Sequence, residues 1–349
     1  MGQEEHRAKA NRKKRCLIVR KAVLSSIASI LFLSACSGEP VGESASGSGS
    51  QPVDGVSFTK HAGRIEVFLE GRPFTAFHYE EEWDKPFLYP LRTSSGLVIS
   101  RGYPIDPHPG EERDHDWHRG IWYGHGDING HDFWRELGRD KTGLIVPIAE
   151  PTHRTEGERG SIAAELGLQT ETQEIIGTLR GVYTFSMSDE AILIDAALSV
   201  RADKGRDLRF GDTEDGGFAV RLADAFRQDR GAILLNSEGQ TGTENIWGKA
   251  ARWVDYSATI DGRDVGATMI DHPSNLRHAT RWHARGYSLF SANPFGLASF
   301  TGHPGDDGSF TLPEGEMTTL RYRIVIREGT RTPEDLEQLF REFADTSPR

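Results

Sequence analysis

Cysteine is nearly absent: Cys16 and Cys36 are the two in 349 residues. Two cysteines cannot build a disulfide scaffold or a cysteine-rich zinc or iron–sulfur site. Long apolar runs are missing as well. The stretch from Ala22 to Leu33 holds 12 residues, short of the roughly 20 that a membrane-spanning helix needs. With a mean hydropathy of −0.51, a polytopic membrane protein is excluded. Basic charge is in deficit, 41 Lys and Arg against 52 Asp and Glu. Disorder is excluded in turn, because 7 Trp, 8 Tyr and 17 Phe are available for burial.

The first fifty residues read as a processing segment. Lys9, Arg12, Lys13, Lys14, Arg15, Arg20 and Lys21 precede the short apolar stretch, and Leu33-Ser34-Ala35-Cys36 follows it. A basic region, a short apolar region and small residues before a cleavage point describe a secretory signal. The tetrad resembles a bacterial lipobox, which makes 1–35 a lipoprotein signal peptide and Cys36 the lipidated residue. Ser37 after it resembles the pattern of outer-membrane retention. Residues 36–55 are then a Gly- and Ser-rich flexible tether. Removing 1–35 takes away eight basic and two acidic residues, leaving 33 against 50 and a formal charge of −17. So acidic a domain gains nothing from phosphate electrostatics, so no nucleic-acid partner is expected, and the membrane is met through the anchor only.

From residue 56 the pattern is that of strands. Ile65, Val67 and Leu69 alternate with polar residues, and Glu70-Gly71 turns into Phe74–Tyr79 as a hairpin. Short candidate strands continue over 96–100, 120–125, 143–149, 161–168, 177–187, 191–201, 218–222, 232–236, 252–260, 287–291, 297–301 and 320–327. No long helix interrupts them, so a parallel α/β sheet is not expected. One helix is expected over 333–344: Thr332 caps, Pro333 opens, and Leu336, Leu339, Phe340 and Phe343 share one face. The expected fold is all-β, a large antiparallel β-sandwich spanning 56–349 as one domain, with that C-terminal helix.

Chemistry concentrates between His108 and Asp132, where five of the thirteen histidines fall: His108, His115, His118, His125 and His131. Asp114, Asp116, Asp127 and Asp132 stand among them, with Trp117, Trp122 and Trp134 nearby. Imidazole gives and takes protons near neutral pH, so His118 and His125 are candidate acid–base groups. Imidazole and carboxylate also suit Zn, Mn or Fe, which makes His115, His118 and His125 the candidate ligands of a divalent metal. No nucleotide cofactor is expected. Glu214, set among turn residues before a strand, is a candidate base. Arg119, Trp122, Asp127, Asn129, Trp134, His272, Arg281 and His283 are candidate substrate contacts; Arg281 and His283 share one face of an extended segment.

Several motifs carry a family resemblance. They are Tyr89-Pro90-Leu91-Arg92-Thr93 with Ser95-Gly96, Asp114-His115-Asp116-Trp117-His118-Arg119-Gly120, and Gly124-His125-Gly126-Asp127-Ile128-Asn129-Gly130. Phe133-Trp134, Gly211-Asp212-Thr213-Glu214, the run Trp247 to Tyr256, Asp271-His272-Pro273-Ser274-Asn275 and Asn293-Pro294-Phe295-Gly296 continue it. Across most of 60–330 the chain resembles the bacterial family whose members are labelled PmoA family protein, or methane oxygenase PmoA. The resemblance implies an exported protein whose relatives accompany carbohydrate-degrading and sugar-oxidoreductase-like genes. A methane monooxygenase subunit needs many membrane spans, so methane oxidation is not carried over.

The function expected is therefore action on carbohydrate or a sugar derivative by His and carboxylate acid–base chemistry, as a hydrolase, lyase or epimerase. The supersandwich of aldose epimerases is a fold-level analogy for it. Two alternatives stand beside it: a non-catalytic glycan-binding lipoprotein, and a His/Asp metal-dependent enzyme.

Overall fold

A computed structural model of the protein describes residues 55–188 and 191–346. The described residues belong to one compact unit. The signal-peptide, lipobox and tether readings fall on residues outside those described.

Period-two alternation of apolar side chains produces two antiparallel sheets that share one core. The first has eight strands, in the spatial order Val56–His61, Arg64–Leu69, Arg72–His78, Phe87–Tyr89, Ile121–His125, Gly216–Arg221, Leu289–Asn293 and Arg281–Arg285. The second has nine. Ile233–Asn236, Trp253–Ile260, Arg263–Asp271, Met317–Glu328, Ala191–Arg201, Ile175–Ser188, Arg159–Gln169 and Leu144–Pro147 follow one another, and Thr152–Glu156 also pairs with Arg159–Gln169. A two-stranded ribbon, Leu208–Phe210 with Phe310–Leu312, completes the set.

Aromatic pairs join the sheets across the core. Phe218 stacks on Tyr322 at 5.3 Å, Tyr256 on Phe290 at 4.6 Å, and Phe77 meets Tyr183 at 5.5 Å. Face-to-face packing of two such sheets is the sandwich arrangement. The helix Pro333–Ala344 covers the outer face of the nine-stranded sheet, setting Leu336 and Phe343 against Trp253, Ile270 and Val325. Its capping box is formed: Thr332 Oγ1 accepts from the Asp335 amide and Asp335 accepts from the Thr332 amide.

Three expectations are corrected here. Residues Leu297–Thr301 are a short helix ended by Gly302 in the left-handed region, not a strand. Residues 96–100 make only isolated bridges, Val98 to Arg92 and Ser100 to Leu222. The third concerns His125. It lies an odd number of residues from Trp122 on the same strand, so the two point to opposite faces. His125 points into the interior, packs on Phe210 and Phe295 at 5.6 and 5.2 Å, and engages the Gly211 carbonyl through Nε2 at 2.9 Å. Burial pushes it down to about 4. It is a neutral core histidine and shares no site with His118.

The turn into the strand Ile121–His125 depends on glycine. Gly120 has φ +48°, and a Cβ there would stand 1.9 Å from the Leu88 carbonyl oxygen. Gly120→Ala should therefore destabilise the fold by roughly 2–3 kcal/mol, read as a lower urea midpoint. An unchanged midpoint would show that these strands are not this close.

Candidate functional site

The outer face of the eight-stranded sheet assembles the chemistry. Ile121 and Tyr123 turn into the core, so Trp122 turns outward. Phe218 and Val220 likewise turn inward, leaving Ala219 and Arg221 outward. Register then aligns one row across five strands: Phe87 opposite Trp122, Trp122 opposite Ala219, Ala219 opposite Ser291, and Ser291 opposite His283. The small residues Ala219 and Ser291, both buried, stand between the Trp122 end and the His283 end.

The segment 114–119 folds onto this row. Arg101, with no side-chain exposure, donates to the carbonyls of Asp114 at 2.7 Å, His115 at 2.7 Å and His118 at 3.0 Å. That pins the loop and lays its rings in a column. Tyr287 stacks on His115 at 5.6 Å, His115 on His118 at 4.7 Å, and His118 on Trp122 at 5.1 Å. Trp134 and Trp117 meet His118 edge-on at 5.7 and 6.0 Å.

Under the column lies a charge cluster in which a half-buried Asp114 meets the buried Arg101 and Arg221. Asp114 Oδ1 accepts from Arg101 at 2.5 Å and from Arg221 at 2.8 Å, and Asp114 Oδ2 lies 3.1 Å from His115 Nδ1. Burial pushes the Asp114 carboxyl up, but the His115 hydrogen bond and the Arg221 and Arg101 charges outweigh it and hold it well below the usual range. Burial and the neighbouring Arg101 bring Arg221 down to about 10. His118, 2% exposed, is held well below its ordinary value by burial first, then by Arg221, His115, Arg101 and His283. An Arg221 Nη1 lies 3.4 Å from His118 Nδ1. A guanidinium only donates, so Nδ1 accepts and the imidazole proton sits on Nε2. That Nε2–H is shut off from solvent and has no acceptor among the described residues.

At the other end of the row, His283 is neutral as well. Its Nδ1–H donates to the Glu214 carbonyl at 2.7 Å and its Nε2 accepts from Arg285 Nε at 2.8 Å. Burial and Arg285 press it down to about 4. Arg285 also donates to both Glu214 carboxylate oxygens at 3.1 Å, and its guanidinium lies 5.1 Å over the Trp247 ring. Asp215 accepts from Arg135 at 2.5 Å. One ligand atom each from Glu214, Asp215 and His283 falls within 4.8 Å of the others, so the three could hold a metal ion. Those same groups are already met by Arg285 and Arg135, which fill the cation's place. The two ends sense each other: His283 depresses His118, and Asp215 raises Tyr287, itself pushed up to about 12 chiefly by burial.

Of the residues expected from sequence, His118, His115, Trp122, Trp134, Glu214 and His283 come together here. Trp122 and Trp134 are each 1% exposed, so they support His118 and are not open stacking platforms. Arg119 is held by Glu136, which also takes Lys85 at 2.7 Å, and it lies 4.6 Å over Trp83. Asp127 and Asn129 are turn residues: Asp127 accepts from the Gly130 amide, and Asn129, at φ +55°, ties down 207 and 209. His272 packs on Phe343 beside Arg321, and Arg281 donates to the Gly248 carbonyl at 2.6 Å. The triad His115, His118 and His125 is no ligand set, because two members stack and the third faces the core. Sequence reasoning missed Arg101, Arg221, Asp215, Arg285 and Tyr287. A charged Arg221 inside the apolar strand Gly216–Arg221 was the available signal.

Two recesses lie elsewhere. One of about 660 Å³ opens beside Tyr79, Trp83 and Leu144, and one of about 520 Å³ runs along Arg154, Arg159, Arg180 and Arg321. Neither is lined by a histidine, so the His118 face is the better candidate for proton chemistry.

Comparison with known proteins adds likenesses of structure. The chain is similar to a putative aldose 1-epimerase from Escherichia coli K12, at 11% identity and TM-score 0.36, covering 79% of this chain and 99% of that one. It is similar to a galactose mutarotase related enzyme from Lactobacillus acidophilus, at 10% identity and TM-score 0.37, covering 79% and 98%. With an alpha-galactosidase from Lactobacillus brevis the identity is 8% and the TM-score 0.36, over 82% of this chain and 41% of that one. No curated protein matches. The family model of DUF6807 matches residues 64–341, and the chain belongs to that family of unknown function.

Proposed function

We propose that the outer face of the eight-stranded sheet acts on carbohydrate or a sugar derivative by acid–base chemistry. The observation that supports this most is that His118, a neutral imidazole with an unpartnered Nε2–H, lies on the same sheet face as the Glu214, Asp215 and His283 cluster. A neutral imidazole donates a hydrogen bond to a substrate oxygen without adding a charge of its own. A carboxylate nearby takes the proton that leaves the sugar. Trp117, half-buried at the edge of the column, would offer its ring to sugar C–H surfaces. The role first assigned to His125 passes to His118 and those carboxylates.

In the same proposal the protein is exported and lipid-anchored at Cys36, with the domain held from the outer membrane by the 36–55 segment. The finer family reading, membership among the proteins labelled PmoA, belongs to it too; methane oxidation does not.

Once a turned-over sugar is found by NMR screening of glycoside pools, His118→Gln and Asp215→Asn should each lower turnover by about 10²–10⁴-fold. The thermal midpoint should stay within a few degrees. Wild-type turnover in both variants would remove these roles.

The Glu214, Asp215 and His283 cluster favours a second reading, a metal-dependent enzyme. It requires Arg285 to leave His283 Nε2. Elemental analysis decides between the two: the first reading expects a metal-free protein that keeps its activity in chelator. Stoichiometric Zn, Mn or Fe, with activity lost on chelation and restored by the ion, would establish the second.

A further inference from the structure

The recess of about 660 Å³ beside Trp83 is set where the two sheets join. One wall is the segment 79–86 that follows the strand Arg72–His78, and the other is the strand Leu144–Pro147. Asp84 ties the walls together. Its carbonyl accepts from the Ile145 amide at 2.8 Å, and its carboxylate accepts from Arg139 Nε at 2.9 Å. Pockets that take small ligands run from roughly 300 to 1,000 Å³ and are largely pre-formed, as this one is.

Its lining is mixed. Trp83, Pro86, Leu144, Val146 and Pro147 give apolar surface, while Lys85, Glu81 and Gln169 bring polar groups. Lys85, 3% exposed, donates to the Trp134 carbonyl at 2.8 Å and to Glu136 at 2.7 Å. One of its three ammonium protons is left without an acceptor among the described residues. Gln169 donates to the Gln173 carbonyl at 3.4 Å and keeps its amide oxygen as an acceptor. A hydroxyl both donates and accepts, so a polyol satisfies both kinds of group, whereas a hydrocarbon satisfies neither. Charge turns an anion away. Glu80 pairs with His78, Glu150 with Lys60, Lys85 with Glu136 and Arg139 with Asp84. Of the charged lining groups Glu81 alone has no ion-pair partner among the described residues, so the balance is acidic.

The recess adjoins the His118 face through one ring. Trp83, half-buried, lines the recess and also packs on the cluster of Phe87, Trp122 and Trp134. It meets Phe87 edge-on at 5.5 Å, and Phe87 stands opposite Trp122 in register. Arg119, the residue after His118, lies 4.6 Å over the same ring and is held by the Glu136 that holds Lys85. The other recess, of about 520 Å³, has no aromatic ring in its lining. We infer that the recess beside Trp83 holds further units of the sugar chain whose reacting unit lies at His118, so that the substrate is a neutral oligosaccharide or polysaccharide. This rests on the carbohydrate reading above and narrows its substrate class.

A glycan array carrying neutral sugars and uronic acids, each as single units and as short chains, finds the series that binds. Calorimetry and the indole N–H signals of ¹⁵N-labelled protein then measure it. A neutral chain should bind about tenfold or more tightly than its single unit and shift the Trp83 indole signal. Trp83→Ala should bring the ratio of chain to single-unit affinity close to one. Val146→Trp, which fills the recess from the opposite wall, should do the same without removing the ring under Arg119. Where neither variant folds, the Trp83 shift in the wild-type protein carries the test. Equal affinity for chain and single unit would overturn this inference and leave the carbohydrate reading standing. A gain with chain length that survives both variants would do so too. Preference for uronic acid chains would overturn the neutral assignment. Absence of binding by every sugar would overturn both readings.

Discussion

One carboxylate oxygen organises the site. Asp114 Oδ1 is shared by Arg101 and Arg221, and nearly everything on that face follows from the pairing. Through Nη1 and Nη2 Arg101 also donates to the loop carbonyls of 114, 115 and 118, which fixes the backbone. Arg221 faces His118 Nδ1, which fixes the tautomer. Removing Asp114 would take from the buried Arg101 and Arg221 the carboxylate they share. The ring column Tyr287, His115, His118, Trp122 then rests on the sheet in one arrangement.

The sandwich supplies the platform. Antiparallel register brings Trp122, Ala219, Ser291 and His283 into one row although they come from distant parts of the chain. The inward residues of those same strands bury Phe218, Phe290 and Trp282 in the core. One face is thus committed to stability, and the other is free to hold polar groups that a core would not tolerate. His118 and His283 are both neutral because each accepts from an arginine while buried.

Local signals were the legible ones. The helix Pro333–Ala344 follows from Thr332, Pro333 and a one-sided apolar spacing, all within a dozen residues. Most strands follow from alternation, and with them the antiparallel sandwich. Leu297–Thr301 misled because Leu, Phe and Thr suit a strand, whereas Gly296 and Gly302 close a single helical turn around Phe300. The histidine cluster was visible, but its division was not. His118 lies in a loop whose course is set by Arg101, far away in the fold, while parity along Ile121–His125 sends His125 to the core. Asp127 and Asn129 shared the composition of a site and serve a turn. Arg221, Asp215 and Arg285 escaped because their roles depend on pairing across strands, which no short motif records.

The central claim is the state of His118: neutral at pH 7, with its proton on Nε2, because Arg221 faces Nδ1. Long-range ¹H–¹⁵N NMR of protein labelled at histidine, with His118→Gln to assign the signal, reads both the tautomer and the titration. The predicted result is an Nε2–H imidazole that titrates well below the ordinary imidazole value. A His118 that titrates near 6.5, or that carries its proton on Nδ1, would contradict the account.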